Sequence, residues 1–208
     1  MQVSQGGAPE RQPSVLVRFR DVIGYGNVTG PYRGYLYYWK TADPDAIDEV
    51  AAAMWPYLST EKRNQFAVAR SQASRGQFIE PPAIRSATTE LAWAAGLFDG
   101  EGSISSRSNA RGREWLELEL PQSSVRDVPE TLSRFHAVVG VGAITGPRVP
   151  RNAWSRLPQY RWRIAAQSGV AHVLVELWPH LGQVTRARTL AVRHLLGPEA
   201  ASKLVDRT

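Results

Sequence analysis

Apolar and polar residues alternate strictly in two stretches of the chain, Trp115-Leu-Glu-Leu-Glu-Leu120 and Tyr160-Arg-Trp-Arg-Ile-Ala165. A period of two predicts half-buried strands. Leu116, Leu118, Leu120, Tyr160, Trp162 and Ile164 then face a core, while Trp115, Glu117, Glu119, Arg161 and Arg163 take the opposite side. Ser103 to Arg107 predicts another strand, and a short one centres on Ile144. Between the first two strands, residues 108–113 hold the Asn, Gly and Arg of a turn. Helices are predicted from about Val128 to Val139, up to Trp178 where Pro179 breaks the pattern, and from about Gln183 to Leu195.

One stretch follows neither period. Leu91-Ala-Trp-Ala-Ala-Gly-Leu-Phe-Asp99-Gly-Glu101-Gly102 is apolar and then ends in two carboxylates separated by a glycine. Thr88 or Thr89 can cap a helix here and Glu90 suits its first turn, so the helix is expected to stop near Asp99. Ala92, Ala95 and Gly96, at i, i+3 and i+4, form a stripe small enough for a partner helix to approach closely. Glu101 follows the last turn between two glycines, exposed at the helix end, which is a place for a metal ion.

The chain also repeats itself. Arg18-Phe-Arg-Asp-Val-Ile-Gly-Tyr-Gly-Asn-Val-Thr-Gly-Pro31 aligns without a gap on Arg134-Phe-His-Ala-Val-Val-Gly-Val-Gly-Ala-Ile-Thr-Gly-Pro147. After a seven-residue insertion in the second copy, Tyr37-Tyr-Trp-Lys40 meets Tyr160-Arg-Trp-Arg163, and Trp55-Pro-Tyr-Leu58 meets Trp178-Pro-His-Leu181. The fold class is therefore α+β, two copies of one unit. Residues 1–70 form an incomplete first repeat. Residues 71–86, with Arg75-Gly76 and Pro81-Pro82, form a linker. Residues 87–208 form a complete second repeat, ordered αββαββα with a final helix. Met1-Gln-Val-Ser-Gln5 resembles Leu118-Glu-Leu-Pro-Gln122, so the first copy opens inside its second strand. The helix from about Pro13 to Ile23 then matches Val128 to Val139. A missing head of about thirty residues is expected upstream. The 208-residue chain is expected to self-associate through its small-residue stripe, and an extended one to be a monomer.

Composition narrows the partners. Twenty-five Lys and Arg against 19 Asp and Glu give a net charge of +6, which favours polyanions, nucleic acid first. Only Lys40, Lys62 and Lys203 are lysines, so the basic charge is nearly all Arg, suited to bidentate phosphate and guanine contacts. Without cysteine there is no disulfide framework, thiolate zinc site or cysteine nucleophile. No apolar run is long enough to span a membrane and no signal-like start is present, so a cytoplasmic location is expected.

Ala94-Ala-Gly-Leu-Phe-Asp-Gly-Glu-Gly102 resembles the signature of the LAGLIDADG homing endonuclease family. Ala94 replaces the first Leu, Phe98 the Ile, Gly100 the Ala and Glu101 the second Asp. The likeness covers Met1 to about Leu196. It implies two pseudo-symmetric αββαββα units, the first incomplete at its N-terminus, with sheets curved over double-stranded DNA and motif helices packed through Ala92, Ala95 and Gly96. It implies Mg²⁺, or another divalent cation, on Glu101 with help from the Gly100 carbonyl. Arg186, its repeat partner Arg63 and neighbouring Lys62 would balance charge on the phosphate. Gln122 and Gln5 are weaker candidates for holding a water, and Asp99 is a structural acid. Candidates for the DNA-facing side are Ser103, Ser105, Arg107, Trp115, Glu117, Glu119, Arg161 and Arg163, with Tyr38 and Lys40 in the first copy. Glu117 and Glu119 would repel phosphates, so they either meet base edges or argue against this register.

The resemblance implies a sequence-specific, Mg²⁺-dependent DNA endonuclease of intron or intein mobility, inactive or limited to nicking in this form. A non-catalytic DNA- or RNA-binding module of the same fold, a splicing helper or regulator, is the alternative. A nonspecific basic domain would leave the acid-Gly-acid-Gly unexplained.

Overall fold

A computed structural model describes residues 1–82, 85–125, 127–149 and 157–205. Most of the stretch carrying the second repeat's insertion, linker residues Ala83 and Ile84, and the last three residues of the second repeat lie outside them. The chain forms two compact units, Met1–Ile84 and Arg85–Thr208.

In the first unit, β1 (Gln2–Gly6), α1 (Ser14–Ile23), β2 (Asn27–Tyr32) and β3 (Leu36–Lys40) precede α2 (Pro44–Met54). A 3-10 turn, Trp55–Tyr57, leads to α3 (Thr60–Gln72). The sheet is antiparallel in the order β1-β3-β2. Alternation along β3 buries Tyr37 and Trp39 against Leu16 and Val50 and leaves Tyr38 and Lys40 on the other face. Asp43 caps α2 by accepting from the Asp45 and Ala46 amides, with Pro44 at the first helical position, where a missing N–H costs nothing.

The second unit runs α4 (Ala87–Glu101), β4 (Ser103–Ser108), β5 (Glu114–Ser123), α5 (Glu130–Val139), β6 (Ala143–Arg148), β7 (Gln159–Ile164) and α6 (Gln167–Leu177). A 3-10 turn Trp178–His180, α7 (Gln183–Ala191), a further 3-10 turn and α8 (Pro198–Val205) complete it. The antiparallel sheet is ordered β4-β5-β7-β6. One face packs Leu116, Leu118, Leu120, Tyr160, Trp162 and Ile164 against Phe98, Leu132, Phe135 and Leu174. The alternation read from the sequence is thus the alternation in space. Helix α8, which the sequence pattern did not predict, adds fully buried Leu204 to this core.

The repeat persists at the level of atoms. Trp39 donates its indole N–H to the Tyr25 carbonyl at 2.8 Å, and Trp162 does so to Val141 at 2.9 Å. Phe19 meets Trp39 edge-on at 4.9 Å, as Phe135 meets Trp162. Such a buried indole needs an acceptor, and each copy supplies it from the same loop.

Candidate nucleic-acid interface and metal site

Helix α4 starts two or three residues earlier and ends two residues later than its sequence predicts. Ser86, rather than Thr88 or Thr89, is the cap: its hydroxyl accepts from the Thr89 amide at 3.2 Å while the Thr89 hydroxyl accepts from the Ser86 amide at 2.8 Å. Glu90 in the first turn takes both N–H groups of the Arg134 fork, at 2.7 and 2.8 Å, and Arg134 stacks over Trp93. This fixes α4 on α5. At the other end Gly102 donates its amide to Phe98 O at 2.8 Å, in space where a Cβ would lie 2.4 Å from the Phe98 ring. Only glycine allows the chain to leave the helix there and enter β4 directly.

Glu101 is therefore the last helical residue, not the first beyond it. Its carboxylate is exposed and has no hydrogen-bond or ion-pair partner among the described residues. The last four carbonyls of a helix lack intrahelical partners, Gly100 among them, and the helix dipole puts partial negative charge at this end. Carboxylate, free carbonyls and dipole all attract a cation. Asp99, two residues back, is committed elsewhere: Oδ2 accepts the Gly182 amide at 2.6 Å, at the start of α7. No group of three or more His, Asp or Glu converges into a metal cage among the described residues. One carboxylate still suits Mg²⁺, which keeps several waters and completes its shell with phosphate oxygens.

The small-residue stripe divides differently from its expected spacing. Ala95 is fully buried in the unit's own core with Ala94 and Phe98, whereas Ala92, Gly96 and Gly100 are exposed. Rotation by 100° per residue explains this: i+4 steps stay on one face, and Ala95 turns toward α5 and α6.

On the polar face of the second sheet, register sets Ser103 opposite Glu119 and Glu119 opposite Arg163, then Ser105 opposite Glu117 and Arg107 opposite Trp115. The candidates from β4, β5 and β7 thus share one face. Glu117 departs from its expected exposure. It is only 3% exposed, because Arg163 and Arg107 (3.4 Å) close over its carboxylate. Glu119 pairs with Arg161 at 3.2 Å, and Arg161 also reaches Gln159 Oε1 at 2.9 Å. The acids do not stand as naked repellers of phosphate. In the first unit, Lys40 lies over the Tyr38 and Tyr32 rings at 4.6 and 5.3 Å, beside a cavity of about 470 Å³ that Arg33 and Tyr35 help line.

Arg63 and Arg186 occupy matching places, though both are engaged. Arg186 donates to Pro179 O at 2.9 Å and lies over Trp178, and Arg63 donates to Trp55 O at 2.9 Å and lies over Trp55. Each locks the Trp-Pro turn before its own helix. Lys62 is exposed and bonds Gln65. Gln122 and Gln5 pair with Tyr160 and Tyr37, on the core side of their sheets rather than the polar side.

The LAGLIDADG homing endonuclease I-GzeII, solved in complex with its DNA target, aligns with 99% of this chain and 85% of its own, at TM-score 0.55 and 11% identity. The chain has the LAGLIDADG homing endonuclease fold. The meganuclease I-SmaMI bound to uncleavable DNA aligns with TM-score 0.52 at 12% identity, over 99% of this chain and 84% of that one. I-SmaMI on an uncleaved target in the presence of calcium ions gives 0.50 at 13% identity, over 99% and 85%. No protein-family model and no curated protein sequence matches. At these identities the LAGLIDADG likeness is one of fold. No pattern along the chain signals the Glu117 cluster, which three strands assemble. The turn locks carried a legible trace: a basic residue recurs eight positions after each Trp, Arg63 after Trp55 and Arg186 after Trp178.

Proposed function

We propose that this chain is a DNA endonuclease that binds duplex DNA across the polar sheet faces and hydrolyses a phosphodiester bond with Mg²⁺ at Glu101. The observation that carries this is the exposed, unpartnered Glu101 carboxylate at the negative end of α4. Glu101 and the Gly100 carbonyl would hold the cation together with a phosphate oxygen. When bound, such a cation lowers the pKa of a water and stabilises the leaving oxygen. The chain's own residues do the rest. Asp99 ties the helix end to α7 and fixes where Glu101 stands. Arg107, Arg161, Arg163 and Lys40 bind DNA, and the Arg63 and Arg186 locks set the turns before α3 and α7 while presenting cationic charge. The described residues contain one such acid-ending helix, so cleavage of a single strand is the expected reaction.

Glu101→Gln keeps side-chain size and removes the charge. It should abolish Mg²⁺-dependent nicking of supercoiled plasmid while leaving duplex affinity and thermal stability close to wild type. Persistent nicking by the purified variant would move the chemistry away from Glu101. A wild-type protein that binds duplex DNA but never nicks it would favour the non-catalytic module.

A further inference from the structure

A carboxylate on the solvent side of a sheet is ordinarily hydrated, yet Glu117 is 3% exposed. It is covered by arginines from both neighbouring strands, Arg107 on β4 and Arg163 on β7, whose own side chains remain 54% exposed. Alone, so enclosed a charge would be costly, so the two guanidiniums are tied to it. Each guanidinium has five N–H donors in a rigid fork, and Glu117 occupies only part of them. The third arginine of the face is held in the same manner by Glu119 and Gln159. Three arginines against two glutamates leave this cluster with a single net positive charge.

Unpaired arginines would grip any phosphate. Here a carboxylate at their base weakens that attraction, whereas a neutral acceptor pair such as guanine O6 and N7 suffers no like-charge penalty and benefits from a fork already aimed. The first unit differs, since its Lys40 is held by tyrosine rings instead of an acid. We propose that Glu117 is a positioning residue for sequence readout, orienting Arg107 and Arg163 toward base edges and exchanging general DNA affinity for discrimination. This deepens the DNA-binding assignment above and rests on it.

The test is selection from a randomised duplex library, with affinities for the selected and a scrambled duplex measured across salt. Glu117→Gln should bind scrambled duplex more tightly and steepen the log affinity–log salt slope by about one. Its preference for the selected sequence should fall about tenfold, chiefly at guanine positions. Arg163→Lys keeps the charge over Glu117 and loses the fork, so it should lose guanine preference with an unchanged salt slope, and it serves equally if Glu117→Gln does not fold. A merely structural role predicts parallel weakening on both duplexes; that outcome, or wild-type preference retained in both variants, would overturn the proposal. Wild-type protein that binds no duplex would overturn the DNA-binding assignment itself.

Discussion

Arg134→Ala removes the residue that fastens α4 to α5. The Arg134 fork meets Glu90 at 2.7 and 2.8 Å, with 13% and 19% of the two side chains exposed. An exposed pair contributes at most ~1 kcal/mol, while truncating one partner of a buried pair costs ~3–5 kcal/mol. These exposures lie between the limits and closer to the second. Stacking on Trp93 at 4.0 Å contributes ~0.5–1 kcal/mol more. The expected loss is about 3 kcal/mol at neutral pH. Its pH dependence is fixed in sign: the hydrogen bond from Arg134, and then the Arg134 and Arg85 charges, hold the Glu90 carboxyl below its usual range against the opposing effect of burial. A group with a lowered native pKa stabilises fully above its unfolded value, ~4.3, and loses that contribution as pH falls through the lower native value. The gap between wild type and Arg134→Ala should therefore narrow below about pH 4. Urea unfolding followed by tryptophan fluorescence, at neutral pH and down to pH 3, measures it. A loss under ~1 kcal/mol at neutral pH, or a gap that stays constant into acid, would refute the reasoning.

Three further substitutions probe the frame that holds the site. Gly102→Ala forces a Cβ against the Phe98 ring and should cost ~1–3 kcal/mol, with a lower thermal midpoint and, if Glu101 is displaced, reduced nicking; an unchanged midpoint would show that the helix end gives way freely. Trp162→Phe keeps most of the ring and strands the Val141 carbonyl, so a loss of ~1–3 kcal/mol is expected in urea unfolding, and Trp39→Phe, which strands the Tyr25 carbonyl, should behave alike in the first unit.

What could be read without coordinates was local and periodic. Alternation along residues 115–120 and 160–165 assigned the core and polar faces correctly, because a strand's side chains must point in turn to opposite sides. The helix carrying Glu101 was equally visible, but its cap was misplaced, since Ser86, Thr88 and Thr89 all suit the position and only the reciprocal Ser86–Thr89 bonding chooses between them. Ala95 parts from Ala92 and Gly96 and lies on the covered side of α4, because a residue at i+3 and one at i+4 flank the same starting face and neighbouring helices decide which is covered. Helix α8 leaves no legible period in the sequence because only one of its residues, Leu204, is buried. The burial of Glu117 depends on residues 10 and 46 positions away on other strands, a distance at which no pattern along the chain reports.

The enclosure of Glu117 limits how this sheet face can change. On an ordinary polar sheet face each outward residue could be exchanged separately, because alternation insulates it from the core behind. Glu117 removes that independence at three positions: replacing Arg163 alone leaves an enclosed charge with only the 3.4 Å contact to Arg107, and replacing Glu117 alone releases two guanidiniums. If this face reads DNA as proposed, changes of sequence preference on it must arise as coordinated sets across β4, β5 and β7, and a mutagenesis library that varies one strand at a time would miss the productive combinations.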